Sequence, residues 1–206
     1  MNYNEVCVKT RYDSIDIKQW NSFIHNNQNG TIFQSPAIYK VYEQTKNYNP
    51  LIIALEENSE ITGILLAVIQ KEYKNPIGYL TSRSIILGGP IIKNNNHERI
   101  KIILKKYNKL IKNKAIYSQF RNLFDLSTVK SLFEKEGFRF EEHLDIHINL
   151  NQSFEKLIKE FHKSRRRNAT KSSNKGVIVK RLNKMNQIDK VYQLIQETYT
   201  RVKLPC

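Results

Sequence analysis

The clearest chemical signal in this sequence is a basic run in its last third. It holds six cations and no acidic residue: Lys163, Arg165, Arg166, Arg167, Lys171 and Lys175. A guanidinium group forms paired hydrogen bonds with two oxygens of one phosphate. Residues 151–206 carry 14 basic and 4 acidic side chains, so most of the net charge of +15 is concentrated there. Such a field attracts nucleic acid, nucleotide-linked substrates or an anionic membrane face, although solvated side chains without a partner give the same pattern.

A second group of polar residues alternates along a predicted strand. Tyr117, Gln119 and Arg121 occupy every second position from the middle of the segment Ala115–Phe120 onward. Successive side chains of a strand point to opposite faces, so these three share one face. They are polar where core residues are expected, and we therefore predict that they contact a substrate.

Other familiar chemistry is missing from the sequence. It contains no Gly-x-x-x-x-Gly-Lys-Ser/Thr, Gly-x-Ser-x-Gly or His-Glu-x-x-His motif. His143 and His147 share a strand face but have no third ligand nearby, and two cysteines are too few for a metal site or a disulfide framework. We predict no metal and no cofactor, and no catalytic residue can be assigned.

The composition indicates a folded protein. Of its 206 residues 40% are hydrophobic, enough for a core. No apolar run approaches the roughly 20 residues of a membrane helix, and the N-terminus has no signal-peptide pattern. The expected location is the cytoplasm.

Hydrophobic periodicity predicts the order β-α-α-β-β-β-α-β-α-β over residues 1–150, a mixed sheet flanked by helices. This α/β arrangement is typical of acetyltransferase-like (GNAT-type) folds. The predicted elements are strand Val6–Val8, helix Asp16–Ile24, a helix from Pro36 capped by Ser35 and ended by Pro50, strands Leu51–Leu55, Ile61–Gln70 and Gly78–Leu87, helix His97–Lys112, strand Ala115–Phe120, helix Ser127–Glu136 and strand Phe138–Leu150.

A second unit is predicted after residue 150. Residues 151–176 read as a connecting helix and a basic loop, and Gly176 leads into a strand at Val177–Val179. Val6-Cys7-Val8-Lys9 and Val177-Ile178-Val179-Lys180 each precede a polar stretch and an amphipathic helix. We therefore predict that residues 177–206 begin a truncated second GNAT-like repeat.

Several segments together resemble the Fem-type aminoacyltransferases that build peptidoglycan interpeptide bridges, whose members contain two GNAT-like domains. The segments are Trp20-x-x-Phe23, Gly30-Thr31-Ile32-Phe33-Gln34-Ser35, Gly88-Gly89-Pro90, Glu136-Gly137-Phe138, Ser164–Val177 and Thr198-x-x-Arg201 followed by Pro205. They cover nearly the whole chain, although each is short and degenerate.

The resemblance implies an aminoacyl-tRNA donor and a UDP-linked or lipid-linked muropeptide as amine acceptor. Lys40 then lies where the family presents a lysine to the acceptor phosphates, and Arg201 near the substrate-facing helix. The basic run, with Arg165, Arg166, Arg167, Lys171 and Lys175, matches the family's basic segment before a Gly-Val strand and is expected to bind phosphate or tRNA. Groups closest to the transfer belong to the family's second domain, so we expect this chain to be incomplete and to turn over weakly.

Two other functions remain open. One is a GNAT-type N-acyltransferase acting on a sugar or amino acid in surface-polysaccharide synthesis. The Arg/Gln-x-x-Gly-x-Gly/Ala loop that cradles the pyrophosphate of acetyl-CoA is absent from the sequence and argues against it. The other is a basic nucleic-acid-binding module without catalysis, although no aromatic residues are interleaved with the basic run. Peripheral contact with the anionic inner membrane face is a further expected interaction.

Overall fold

A computed structural model describes residues 6–71, 80–143 and 148–202. The chain divides into two compact units, Met1–Asp145 and Ile146–Cys206, which are described separately. The start of the predicted strand Gly78–Leu87 and residues 144–147 of the predicted strand Phe138–Leu150 lie outside the described residues.

The first unit is built on a mixed sheet in the strand order β1-β2-β3-β4-β6, with β5 paired to β3. All neighbours are antiparallel except β4 and β6, which run parallel. The strands are β1 (Cys7–Lys9), β2 (Tyr48–Glu57), β3 (Glu60–Gln70), β4 (Arg83–Leu87), β5 (Ile91–Ile92) and β6 (Tyr117–Arg121). The predicted mixed sheet flanked by helices is confirmed.

Strand β3 is the centre of the sheet, and its residues from Ile61 to Ile69 are all buried. A strand covered on both faces carries a continuous apolar run rather than an alternating one. It forms a hairpin with β2, because Glu57 pairs with Glu60 across a short turn. β3 thus positions both the hairpin and the strands that follow.

Four helices cover the sheet: α1 (Ile17–Asn26), α2 (Pro36–Gln44), α3 (His97–Ile111) and α4 (Lys130–Lys135). Side-chain oxygens cap the first three, because Asp16, Ser35 and Asn96 accept hydrogen bonds from the first free N–H groups. Ser35 as the cap with proline in the first turn agrees with the sequence prediction.

Two apolar clusters hold the layers together, one on each face of the sheet. In β2, Ile53 and Leu55 belong to the cluster beneath α3 and α4, whereas Ile52 and Ala54 belong to the cluster with α1. Trp20 of α1 is completely buried in the second cluster. The alternation of β2 therefore serves two cores.

The second helix differs from its prediction in two ways. It ends at Gln44, and Pro50 lies inside β2. The other edge of β2 is paired by β1 only at Ala54–Glu56, which leaves position 50 open to a residue without an N–H group. The inner side of α2 is formed by Ile38, Tyr39 and Tyr42, while Ala37 and Val41 are exposed.

The last predicted elements of the first unit are shorter than expected. Helix α4 follows a 3₁₀ turn at Ser127–Val129 and ends before Gly137, whose φ of +88° suits glycine. Residues 138–143 and 148–150 are not in a strand. Phe138 packs instead against Phe120 with ring centroids 5.0 Å apart.

The described part of the second unit contains three α-helices, α5 (Phe154–Glu160), α6 (Lys163–Asn174) and α7 (Ile188–Arg201). The basic run predicted as a loop is the helix α6. His162 caps its start, and a Schellman pair closes it, since Val177 N–H donates to Ser172 O and Gly176 N–H to Ser173 O. Local capping thus forms a helix that has no apolar stripe.

The strand predicted at Val177–Val179 is not formed. These side chains are 61%, 75% and 94% exposed, and no other strand lies in the described part of this unit to pair with them. A lone strand leaves its backbone groups unpaired, so β-forming residues stay irregular without a neighbour. The helix predicted after it is α7, and a second repeat stays a prediction.

Candidate functional site

The parallel pair β4 and β6 presents a polar face. Their register sets Arg83 beside Tyr117, Ile85 beside Gln119 and Leu87 beside Arg121. The intervening residues Ser118 and Phe120 point to the α3 side and are partly buried, whereas Tyr117, Gln119 and Arg121 are exposed. The structure therefore brings these three predicted residues together on one face of the sheet.

Strand β3 extends this face. Gln70 pairs with Arg83, and its side-chain Oε1 accepts a hydrogen bond from Arg83 Nε at 3.1 Å. We call the set Gln70, Arg83, Tyr117, Gln119 and Arg121 the arginine face. Gln70 and Arg83 were not predicted as site residues, because the register that places Arg83 next to Tyr117 cannot be read from one strand alone.

Both arginines of this face are held by neutral groups. Arg121 donates from Nε and Nη2 to Gln119 Oε1, at 3.1 and 3.0 Å, as Arg83 donates to Gln70. Within the described residues neither guanidinium forms an ion pair. An amide oxygen orients a guanidinium without cancelling its charge, so both remain available to an anion.

The two arginines are anchored at well-separated points of this face. Arg121 lies one strand across and four residues along from Arg83. Their Cα atoms are therefore about 14 Å apart, because four residues span about 13 Å and neighbouring strands lie about 4.8 Å apart. This Cα separation suits an elongated ligand with two anionic groups, with Tyr117 and Gln119 between the two arginines.

Two buried oxygens lie near the carboxyl ends of β4 and β6 without a hydrogen-bond partner in the described residues. They are Thr31 Oγ1 and Asn122 Oδ1. Thr31 Oγ1 is 3.1 Å from the position that a Cβ atom on Gly88 would take. Asn122 directly follows Arg121 at the end of β6.

Lys40 lies on a different part of the first unit. Helix α2 packs on β2, which is separated from β4 by β3. Lys40 Nζ sits 4.1 Å from the ring centroid of Tyr12 and 2.8 Å from Glu43 Oε2. The hydrogen bond to Glu43 raises the pKa of Lys40. The lysine is thus charged, half exposed and held over an aromatic ring.

The remaining predicted residues lie in the second unit. Arg165, Arg166 and Arg167 are consecutive in α6 and therefore point about 100° apart around the helix, so they cannot grip one phosphate together. Arg201, at the end of α7, lines an open strip along that helix with Gln193, Glu197 and Thr200.

The described residues contain no group of three His, Cys, Asp or Glu side chains able to hold a metal ion. In the same part of the chain no helix is both long and apolar enough to cross a bilayer.

This architecture is similar to that of a solved structure. FemX superposes on 96% of the chain with a TM-score of 0.66, at 17% sequence identity. The chain has a Fem-like fold. It spans about half of FemX, 51% of that chain. The resemblance predicted from the sequence is thereby confirmed for the fold.

Two weaker likenesses add no argument about function. A glucosamine-6-phosphate N-acetyltransferase from Arabidopsis thaliana matches 71% of this chain, and 99% of its own, at a TM-score of 0.49 and 12% identity. A transcriptional regulator from Bacillus halodurans matches 70%, and 100% of its own, at 0.48 and 16%. No family model matches the sequence, and no curated protein is significantly similar to it.

Proposed function

We propose that this protein takes part, in the cytoplasm, in acyl transfer to an amine of a peptidoglycan precursor. The donor would be an aminoacyl-tRNA and the acceptor a UDP-linked or lipid-linked muropeptide. The acceptor nitrogen attacks the ester carbonyl carbon, a C–N bond forms and the C–O bond to the tRNA breaks. The tRNA 3′ oxygen keeps the electron pair and gains the proton that the amine loses.

The arginine face is the observation that carries this proposal. Its two guanidiniums are uncompensated within the described residues, and the Cα atoms of the two arginines are about 14 Å apart. A muropeptide is elongated and carries phosphates and carboxylates at separate points, so it matches such spacing. The Fem-like fold supports the same class of reaction. This face orients the acceptor and supplies no nucleophile of its own.

The other predicted residues have supporting parts in the proposal. Lys40 would bind an acceptor phosphate, for which its charge and partial exposure are suited. Arg201 would contact substrate, and the basic helix α6 would bind phosphates of the donor. The positive charge of α6 would also allow peripheral contact with an anionic membrane surface.

The test measures the binding of a UDP-linked muropeptide to the purified full chain by calorimetry. Arg83→Ala and Arg121→Ala should each weaken binding about tenfold, the size expected for one lost charge-assisted contact. Arg139→Ala is the matched control, because its side chain is 89% exposed and lies outside the arginine face. Urea unfolding of each variant verifies that the fold is kept.

Lys40→Ala tests the second anchor, with Lys46→Ala as control on an exposed position after the same helix. Weaker binding in Lys40→Ala alone supports a phosphate contact there. Unchanged muropeptide affinity in both arginine variants would contradict the proposed acceptor site.

A further inference from the structure

Helix α7 carries an apolar stripe along one side. Its members follow one another at alternating intervals of three and four residues: Met185, Ile188, Tyr192, Ile195, Tyr199 and Val202. Met185 opens a 3₁₀ turn that leads directly into the helix. Val202 continues the last helical turn, since its N–H donates to Thr198 O at 3.1 Å. We call these six residues the α7 seam.

The α7 seam is exposed although it is apolar. Met185 is 81% exposed, and the other five members are between 40% and 53% exposed. No residue in the described part of the second unit is buried, so nothing in that part covers the seam. A helix of 14 residues is marginal in water by itself and depends on the packing of its apolar face. A partner on the seam would therefore stabilise α7 as well as bind it.

The spacing of the seam fits a second helix of the same kind. Apolar residues at alternating intervals of three and four are the a and d positions of a heptad repeat, which pack against the same positions of a partner helix. At these exposures each copy offers roughly 600 Å² and a pair would bury roughly 1,200 Å², the low end of specific interfaces. The repeat spans only about two and a half heptads, so the pair should be weak.

The charges of α7 permit self-pairing in a strongly basic chain. Four residues flank the seam at the e and g positions of the heptad: Asp189, Val191, Gln196 and Thr198. None of them is basic, so two seams meet without contact between cations, despite the net charge of +15. Arg201 lies about 130° around the helix from the middle of the seam. The strip that Arg201 lines would therefore stay open in a pair.

We propose that the α7 seam is a self-association surface, on which the seam of one copy packs against the seam of a second copy. A contact between identical surfaces closes on two copies, so the product is a dimer and not an open chain of molecules. This inference is independent of the proposed acyl transfer and uses no residue of the arginine face.

The experiment measures the mass of the full chain by sedimentation equilibrium between about 1 and 200 μM protein. The monomer has a mass of 24.3 kDa, and the measured mass should rise toward twice that value. Ile195→Glu should raise the dissociation constant of the dimer about 100-fold, because each of the two copies places a carboxylate in the seam at a cost of about tenfold. Leu194→Glu is the matched control: Leu194 is 58% exposed and lies outside the seam, so the constant should change less than about threefold.

Both variants place a glutamate, a good helix former, at neighbouring positions of α7. Equal helix content by circular dichroism at about 1 μM, where both are monomers, excludes loss of the helix as the cause of a difference. A constant monomer mass would overturn the inference, and hydrogen-exchange protection of α7 in that monomer would show that another part of the chain covers the seam. Equal weakening in the two variants would also overturn it. Association that survives Ile195→Glu would contradict it and point to a contact at Val177–Val179.

Discussion

The side chain of Gln34 bonds the backbone of Leu66 in both directions. Gln34 Oε1 accepts from Leu66 N–H at 2.7 Å, and Nε2 donates to Leu66 O at 3.0 Å and to Leu87 O at 2.8 Å. Pairing of β3 with β5 covers Gly63 and Ile64, and pairing with β4 starts at Ala67, so Leu66 lies between the two paired segments. The Gln34 amide therefore bridges the point where the sheet divides.

Replacing Gln34 should destabilise the first unit strongly. Gln34→Ala leaves the buried N–H of Leu66 and two carbonyl groups without their bonds, and each unsatisfied group costs about 1–3 kcal/mol. We expect the free energy of unfolding to fall by about 3 kcal/mol in urea titrations. Gln44→Ala, at the exposed end of α2, is the control and should change it by less than about 0.5 kcal/mol. A small effect of Gln34→Ala would show that water replaces the amide.

Gly89 and Gln34 should be coupled. A Cβ atom on Gly89 would lie 3.0 Å from Cδ, Nε2 and Oε1 of Gln34. Gly89→Ala should therefore cost about 1–3 kcal/mol by overpacking. In a double-mutant cycle on the Gln34→Ala background that cost should largely disappear. Additive effects would mean that the two residues do not meet.

Loss of the Tyr107 proton should lower the free energy of unfolding at alkaline pH. Its hydroxyl contacts Ser84 Oγ and Ser118 Oγ, each at 2.7 Å, and burial raises the pKa of Tyr107 above 10. The folded state holds this proton more tightly than the unfolded state. The stability that the protonated Tyr107 contributes is therefore complete below pH 10 and is lost as the pH rises through the raised pKa.

Tyr107→Phe should lower the free energy of unfolding at pH 7 by about 1 kcal/mol. It should also flatten the decline above pH 10. Tyr199→Phe is the control on an exposed helix position, and a Tyr107→Phe profile identical to that of the parent would argue against the buried contact.

Glu57 should govern part of the acid stability. It makes two hydrogen bonds with Arg99, Nε to Oε1 at 2.7 Å and Nη2 to Oε2 at 2.8 Å, and these lower the pKa of Glu57. A lowered folded pKa gives stability that is complete above the ordinary glutamate value of about 4.3 and is lost as pH falls through the folded value.

Glu57→Gln should cost about 2 kcal/mol at pH 7 and make the acid decline less steep, as followed by urea unfolding at several pH values. The control is Glu98→Gln, which removes the carboxylate that pairs with Lys101. The Glu98 side chain is 74% exposed, so this variant should change the free energy of unfolding little. Parallel pH profiles for Glu57→Gln and the parent protein would refute the assignment.

Strong periodicity made the first unit predictable. The apolar run of β3, the stripe of α3 and the Ser35 cap each carry one local signal, and all were confirmed. Pairing partners were not readable, because register joins residues far apart in sequence. Arg83 meets Tyr117 only through the β4–β6 pairing, so two of the five residues of the arginine face were missed.

In the second unit, local sequence signals led to two wrong predictions. The run of α6 lacks apolar residues, and its helix depends on a histidine cap and a glycine end. Val177–Val179 have high strand propensity, but propensity without a neighbouring strand does not form a sheet. Both errors arise because one signal, hydrophobic pattern, was read without its structural context.

The exposure of Val177–Val179 has a practical consequence. Three consecutive β-branched side chains, from 61% to 94% exposed and free of charge, are a template for pairing between molecules. Lys175 and Lys180 flank the segment as charged gatekeepers, and their repulsion is weakened by salt. The protein should therefore self-associate more readily at high ionic strength, so light scattering belongs beside every salt titration of its binding.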